Sequence, residues 1–143
     1  MNPVVRYLKL PLQEKWALTE ASFFLIIIKA MIMLFPLRWY KNLLGVQNAT
    51  PDFTPDHLTM KVILLISRAI VRSRKIIPWK NQCLTEAITA KLLLRRRGVK
   101  STLYLGVNRE NNIMTAHAWL CCGEVFVTGK RGMEKFTVVS SFS

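Results

Sequence analysis

Cys83 and His117 are the residues of this sequence best suited to covalent chemistry, since a thiolate attacks a carbonyl and an imidazole relays the proton. Cys83 stands near the start of a helix predicted to begin at Asn81 or Gln82 and to end at Arg95-Arg96-Arg97-Gly98. Helix starts present unpaired backbone N–H groups and the positive end of the macrodipole, which favour thiolate over thiol. His117 falls in mid-strand, within Thr115-Ala-His-Ala-Trp119, from which a sheet packed on that helix would bring its ring to the sulfur. Both residues also fit plain structural roles, a small buried thiol and a satisfied core histidine, so the residue types alone do not define an activity.

The other candidates for chemistry are few. Three cysteines with Cys121 and Cys122 adjacent, and so pointing to opposite faces of a strand, make no disulfide framework. With only His57 and His117 in the chain and no CxxC, no zinc-type ligand set is expected, nor any other metal or cofactor. Unpaired cysteines fit a reducing cytoplasm. The N-terminal MNPVVRYLKLPLQEK lacks an apolar core followed by a small-residue cleavage site, so Met1 is expected to start the mature protein.

The elements that must position the pair follow from patterning. At 143 residues, 51% hydrophobic and 20% charged, the chain has one domain's length and enough apolar material for a core, which excludes general disorder and a two-domain nucleotide enzyme. Trp16 to Tyr40 is strongly apolar, broken at Lys29 and ended near Pro36, and reads as a buried or membrane-surface helix. The turn-rich stretch Gly45 to Pro55 divides an N-terminal helical segment and linker, 1–50, from a second region, 51–143. Thr54 as N-cap, Pro55 at the first helical position and Asp56 in the first turn then open a helix toward Lys75, with Leu58, Val62, Leu65, Ile66 and Ala69 on its apolar stripe and Pro78 as its stop. The helix carrying Cys83 has Leu84, Ala87, Ile88 and Leu92 on its apolar face.

Beyond Gly98 the period changes. Ser101 to Val107, Met114 to Cys121, Glu124 to Thr128 and Lys135 to Val139 read as strands separated by Asn- and Gly-containing turns. Helices followed by an antiparallel sheet give an α+β order. Charge is concentrated too: 11 basic residues and one acid, Glu86, lie between Lys61 and Lys100, +10 of the total +13. Such an excess suits an anionic partner, whether nucleic acid, membrane phosphate or an acidic peptide, or it is a solvated face.

Pro78-Trp79, Cys83-Leu84, Leu92-Leu-Leu-Arg-Arg-Arg-Gly-Val99, Leu103-Tyr-Leu-Gly-Val107, Ala116-His-Ala-Trp-Leu120 and Gly123-Glu-Val125, in that order, resemble the lasso peptide biosynthesis B2 proteins. These are transglutaminase-like cysteine peptidases similar to the microcin J25-processing protein, and the resemblance covers about residues 60 to 139. It implies a papain/transglutaminase-like core in which a helix bearing the nucleophile Cys83 packs on a sheet bearing the base His117. The family pattern often has an Asp about a dozen residues after the histidine; here that neighbourhood is Val127-Thr128-Gly129, with no carboxylate. Thr128, by its hydroxyl or a nearby backbone carbonyl, and Glu124 are the alternatives for the third member. Strand register favours the neighbourhood of Thr128. One oxyanion donor would be the backbone N–H of Cys83, with Gln82 and Trp79 as candidates for the second.

The implied activity is removal of the leader from a ribosomally made precursor peptide. Implied partners are a small B1-type leader-recognition protein and the ATP-dependent lasso cyclase. Two alternatives stand beside it. One passes the acyl group from the same site to an amine. The other is a noncatalytic basic module binding nucleic acid or membrane, with membrane contact through residues 16–40. No aromatic-basic RNA motif or zinc finger supports nucleic acid.

Overall fold

The computed structural model describes residues 2–48, 54–77 and 82–143. A short helix α1, Pro3–Leu8, is capped by the Asn2 side chain, which accepts from the Val4 N–H. Helix α2, Leu12–Leu34, follows Pro11 and stops where Phe35, constrained by the following Pro36, turns extended (φ −127°, ψ 143°). Helix α3, Leu37–Tyr40, runs into a 3₁₀ turn over Lys41–Leu44. Helix α4 spans His57–Ile76. Its cap is Asp56, whose carboxylate accepts from the Thr59 N–H at 2.7 Å, and not Thr54 as the sequence suggested.

Helix α5, Cys83–Arg96, ends in a Schellman motif: Gly98 at φ +72° lets its own N–H reach the Arg95 carbonyl and that of Val99 the Leu94 carbonyl. Four strands follow: β1 Thr102–Glu110, β2 Ile113–Cys122, β3 Val125–Thr128 and β4 Thr137–Phe142. They form one antiparallel sheet in the order β3-β2-β1-β4. Asn111 and Asn112, both at positive φ, make the two-residue β1–β2 turn, as asparagine tolerates in a primed turn. This is the α+β arrangement of helices plus antiparallel sheet expected of a papain/transglutaminase-like core.

Helix α5 is the axis of the core. Ala87, Ile88, Ala90, Leu93 and Leu94 are buried between the sheet residues Leu103, Ala118, Leu120 and Cys122 and the helices α2 and α4. Its predicted one-sided face is too narrow: Leu84 and Leu92 are half-buried, while the polar Thr85, Glu86, Thr89 and Lys91 are enclosed. The α4 stripe is rotated as well. Ile63, Ile66, Ala69 and Ile70 point inward, and Leu58 is exposed.

By length and composition α2 would suffice to cross a membrane, but in this fold it is a packed element. Ala17, Ala21, Leu25 and Ile28 are buried, and the small alanines bring its backbone close to α4 and α5. Its carboxylates turn inward: Glu14 pairs with Arg72, and Glu20 with Arg96 and Arg97.

Candidate active site

Cys83 occupies the first position of α5, with Gln82 as the preceding cap residue. Its backbone N–H therefore lies in the turn where the helix supplies no acceptor. The thiol is half-buried. Beside it a cleft of about 550 Å³ opens between α4, the start of α5 and the end of β3. Cys83, His117, Gln82 and Thr128 all line this cleft, so residues far apart in sequence meet at one surface. The hydroxyl of Ser67 on α4 donates to the Val127 carbonyl on β3 at 3.0 Å, which ties the two walls together.

His117 sits in β2 opposite Gly106 of β1. Its ring packs on Trp119, 5.8 Å between centroids, and on Phe136 at 5.1 Å. Nε2 lies 2.7 Å from the Gly129 carbonyl oxygen. A carbonyl only accepts, so Nε2 is the donor, and in the neutral ring Nδ1 carries the lone pair. The ring is thus held in one tautomer with its other nitrogen free to take a proton. Among the described residues no hydrogen bond joins Cys83 Sγ to the ring.

A bulge decides which group meets the histidine. β3 pairs with β2 through Leu120↔Thr128 and then shifts register to Cys121↔Phe126. Thr128 therefore lies beside Leu120, and the next residue, Gly129, runs back along Ala118 and Trp119. Gly129 has φ +74°, and a Cβ there would stand 2.5 Å from the Ala118 carbonyl oxygen. The main chain, with no side chain to spare, supplies the acceptor.

The Thr128 side chain is not that acceptor: its Oγ1 is buried and has no hydrogen-bond partner among the described residues. Glu124 is not either. It is exposed in the Gly123-Glu124 turn at the far end of β2, beyond the Cys122↔Val125 pair. Gln82 is buried in the cleft wall, and its side-chain amide donates to the Ile77 carbonyl at 2.8 Å. Trp79 lies outside the described residues.

One feature of the cleft escaped the sequence. Glu86, one turn beyond Cys83, is only 4% exposed and is gripped by Arg74 through Nε at 2.8 Å and Nη2 at 2.6 Å. That fork holds the Arg74 guanidinium above its ordinary pKa. The only sequence trace of it was a single acid in a basic stretch. The Gly129 carbonyl lies next to Thr128, where the sequence offered a hydroxyl or a backbone carbonyl without marking which.

The other thiols differ in kind. Cys121 and Cys122 are buried, and burial pushes both up to about 11. Among the described residues no group of three or more His, Cys, Asp and Glu is placed to hold a metal ion.

Comparison with known proteins gives one match. The family described as the transglutaminase-like superfamily matches over residues 31–141, which takes in the end of α2, the cleft and the sheet save the last residue of β4. No curated protein and no solved structure matches the chain.

Proposed function

The chain belongs to the transglutaminase-like superfamily, whose fold is cysteine-protease-like and whose chemistry is of the cysteine peptidase and acyltransferase type, and on that premise we propose that it is a cysteine endopeptidase. Its substrate in this reading is the precursor of a lasso peptide, and its role is to remove the leader. Cys83 Sγ gives its proton to His117 Nδ1 and attacks the carbonyl of the last leader residue. The oxyanion is met by the Cys83 backbone N–H. His117 then protonates the leaving amine of the core peptide, the C–N bond breaks, and the thioester is hydrolysed by a water that His117 deprotonates.

The observation that carries this reading is the Nε2 contact to Gly129 at the cleft that Cys83 also lines, because it leaves Nδ1 as the free base. Closure of the sulfur–imidazole gap on substrate binding fits the general behaviour of sites whose catalytic hydrogen bonds tighten only in the complex. In this reading recognition of the leader falls to a separate B1-type protein, and the free core peptide passes to an ATP-dependent cyclase.

The test is incubation of the purified protein and a B1-type partner with a lasso precursor, read by mass spectrometry. Cleavage at one bond, with gain of one water across the two products and its loss in Cys83→Ala, is the expected result. Transfer to an added amine without hydrolysis would replace peptidase by transferase, and undiminished cleavage by a folded Cys83→Ala protein would end the reading.

A further inference from the structure

The side of α2 turned away from the core is apolar along most of its length. Trp16, Phe23, Ile26, Ile27, Met33 and Leu34 follow one another at helical spacing on that side, with Trp16 70% and Phe23 60% exposed. Between Trp16 and Phe23 the Glu20 carboxylate is covered by Arg96, and from Phe23 to Leu34, about 17 Å at the helical rise, no charged side chain lies on this stripe. A soluble monomer rarely leaves so continuous an apolar strip bare.

Charge around the stripe narrows what covers it. Residues 2–48 contain six cations, Arg6, Lys9, Lys15, Lys29, Arg38 and Lys41, against two acids, Glu14 and Glu20. Both acids are turned inward in ion pairs with α4 and α5. Arg6 and Lys9 are exposed on and just after α1, which lies beside the first turns of α2 near Leu18 and Thr19, and Arg38 and Lys41 are exposed beyond its last turn. Aromatic side chains accompany them: Phe35 stacks on Trp39 at 5.4 Å beyond the helix end, and Trp39 is itself exposed. An apolar strip with aromatic residues, bordered by cations and free of exposed carboxylates, complements an anionic lipid surface. A protein partner would be expected to meet polar anchors that fix its register, and from Phe23 to Leu34 the stripe offers none, the Thr19 hydroxyl and the Glu20–Arg96 pair lying before it.

We propose that α2 seats the protein on an anionic bilayer, lying in the interface with this stripe sunk to the headgroup boundary. It lies on the membrane and does not cross it. Crossing would strip Ala17, Ala21, Leu25 and Ile28 from the core and leave Arg96 and Arg97 without Glu20, whereas interfacial seating keeps every one of those contacts.

Flotation of the full chain with phosphatidylcholine vesicles, and with vesicles containing phosphatidylglycerol as well, tests this. Partition into the anionic vesicles should be about tenfold stronger or more and should fall with salt. Phe23→Ser combined with Ile27→Ser should lower it by a similar factor. Both positions are exposed, so the far-UV spectrum and the melting temperature should be kept. Arg38→Gln with Lys41→Gln should reduce the anionic preference alone. Equal partition into both vesicle types, or none into either by the wild-type chain, overturns the proposal. A homodimer that the serine variant converts to monomer, without vesicle binding, would assign the face to a second copy instead. None of these readouts depends on peptidase activity.

Discussion

His117 Nε2 and the carbonyl oxygen of Gly129 lie 2.7 Å apart, joining a strand residue to the main chain twelve positions later. The contact depends on Gly129 having no side chain, because a Cβ would meet the Ala118 carbonyl oxygen at 2.5 Å and φ is +74°. Gly129→Ala should therefore displace the carbonyl and lower turnover by about tenfold or more, following the loss of about 1–2 kcal/mol in the αL region and of the imidazole's orientation. Nitrogen-15 spectra of the imidazoles, simple to assign with two histidines in the chain, should show Nε2–H in the wild type and a mixture of tautomers in the variant. An unchanged His117 tautomer with full loss of activity would disconnect the contact from function.

Glu124 and Thr128 provide the complementary test. Glu124→Gln should leave turnover unchanged, since the residue is exposed beyond the far end of the His117 strand. Thr128→Val replaces a buried, unpartnered hydroxyl by a methyl of the same shape and should be neutral or stabilising by up to about 1 kcal/mol. Thr128→Asp buries a carboxylate at the same place and should lower the melting temperature clearly. A Thr128→Asp protein with wild-type stability and raised activity would mean that the carboxylate reaches the imidazole after all.

Thiol chemistry should single out one cysteine. Iodoacetamide near neutral pH, followed by peptide mapping, should label Cys83 well before Cys121 and Cys122, both buried and pushed up to about 11. Labelling of the adjacent pair at an equal rate in the folded protein would contradict this burial.

Lys91 gives the fold a pH signature. It is 4% exposed, donates to the Ser101 carbonyl at 2.6 Å, and burial lowers its pKa from 10.5 to about 8. Between these values the unfolded chain holds a proton that the folded chain has released, so this residue's contribution to stability rises with pH from about 8 to 10.5. Lys91→Met should gain relative to wild type below pH 8, and the gain should shrink above it, by at most about 1.4 kcal/mol per pH unit. Denaturant titrations of both proteins at several pH values measure the difference; a gap constant with pH would refute it.

Deletion of residues 1–45 should abolish cooperative unfolding, because it removes Ala17, Ala21, Leu25, Ile28, Tyr40 and Leu44 from the core. A sharp thermal transition in the truncated protein would show that α2 is an appendage.

The sequence was most legible where a local signal had a local cause. The change from helical to alternating pattern near Gly98, the glycine stop of α5 and the position of Cys83 at that helix's start all depend on neighbours in the chain. Leu58 falls outside the core because the orientation of α4 about its axis is settled by α2 and α5, not by the helix's own spacing. Glu86 looked like a lone surface acid, yet its burial depends on Arg74 arriving from another helix. For the group on His117 the strand register pointed to the neighbourhood of Thr128, but the choice between hydroxyl and backbone carbonyl was fixed by a bulge that shifts the β2–β3 register.

The sheet order places β2 between β1 and β3, yet β3 reaches only Leu120–Cys122, so at His117 the strand is laddered to β1 alone. Ladder amides of a long strand pair exchange with deuterium only when the pair opens, whereas the first-turn amides of α5 lack helical acceptors. The two halves of the candidate pair thus differ in how they are anchored: the histidine on a strand paired with β1 from Ile113 to Cys121, the thiol on a helix end that can adjust to a peptide without disturbing the sheet.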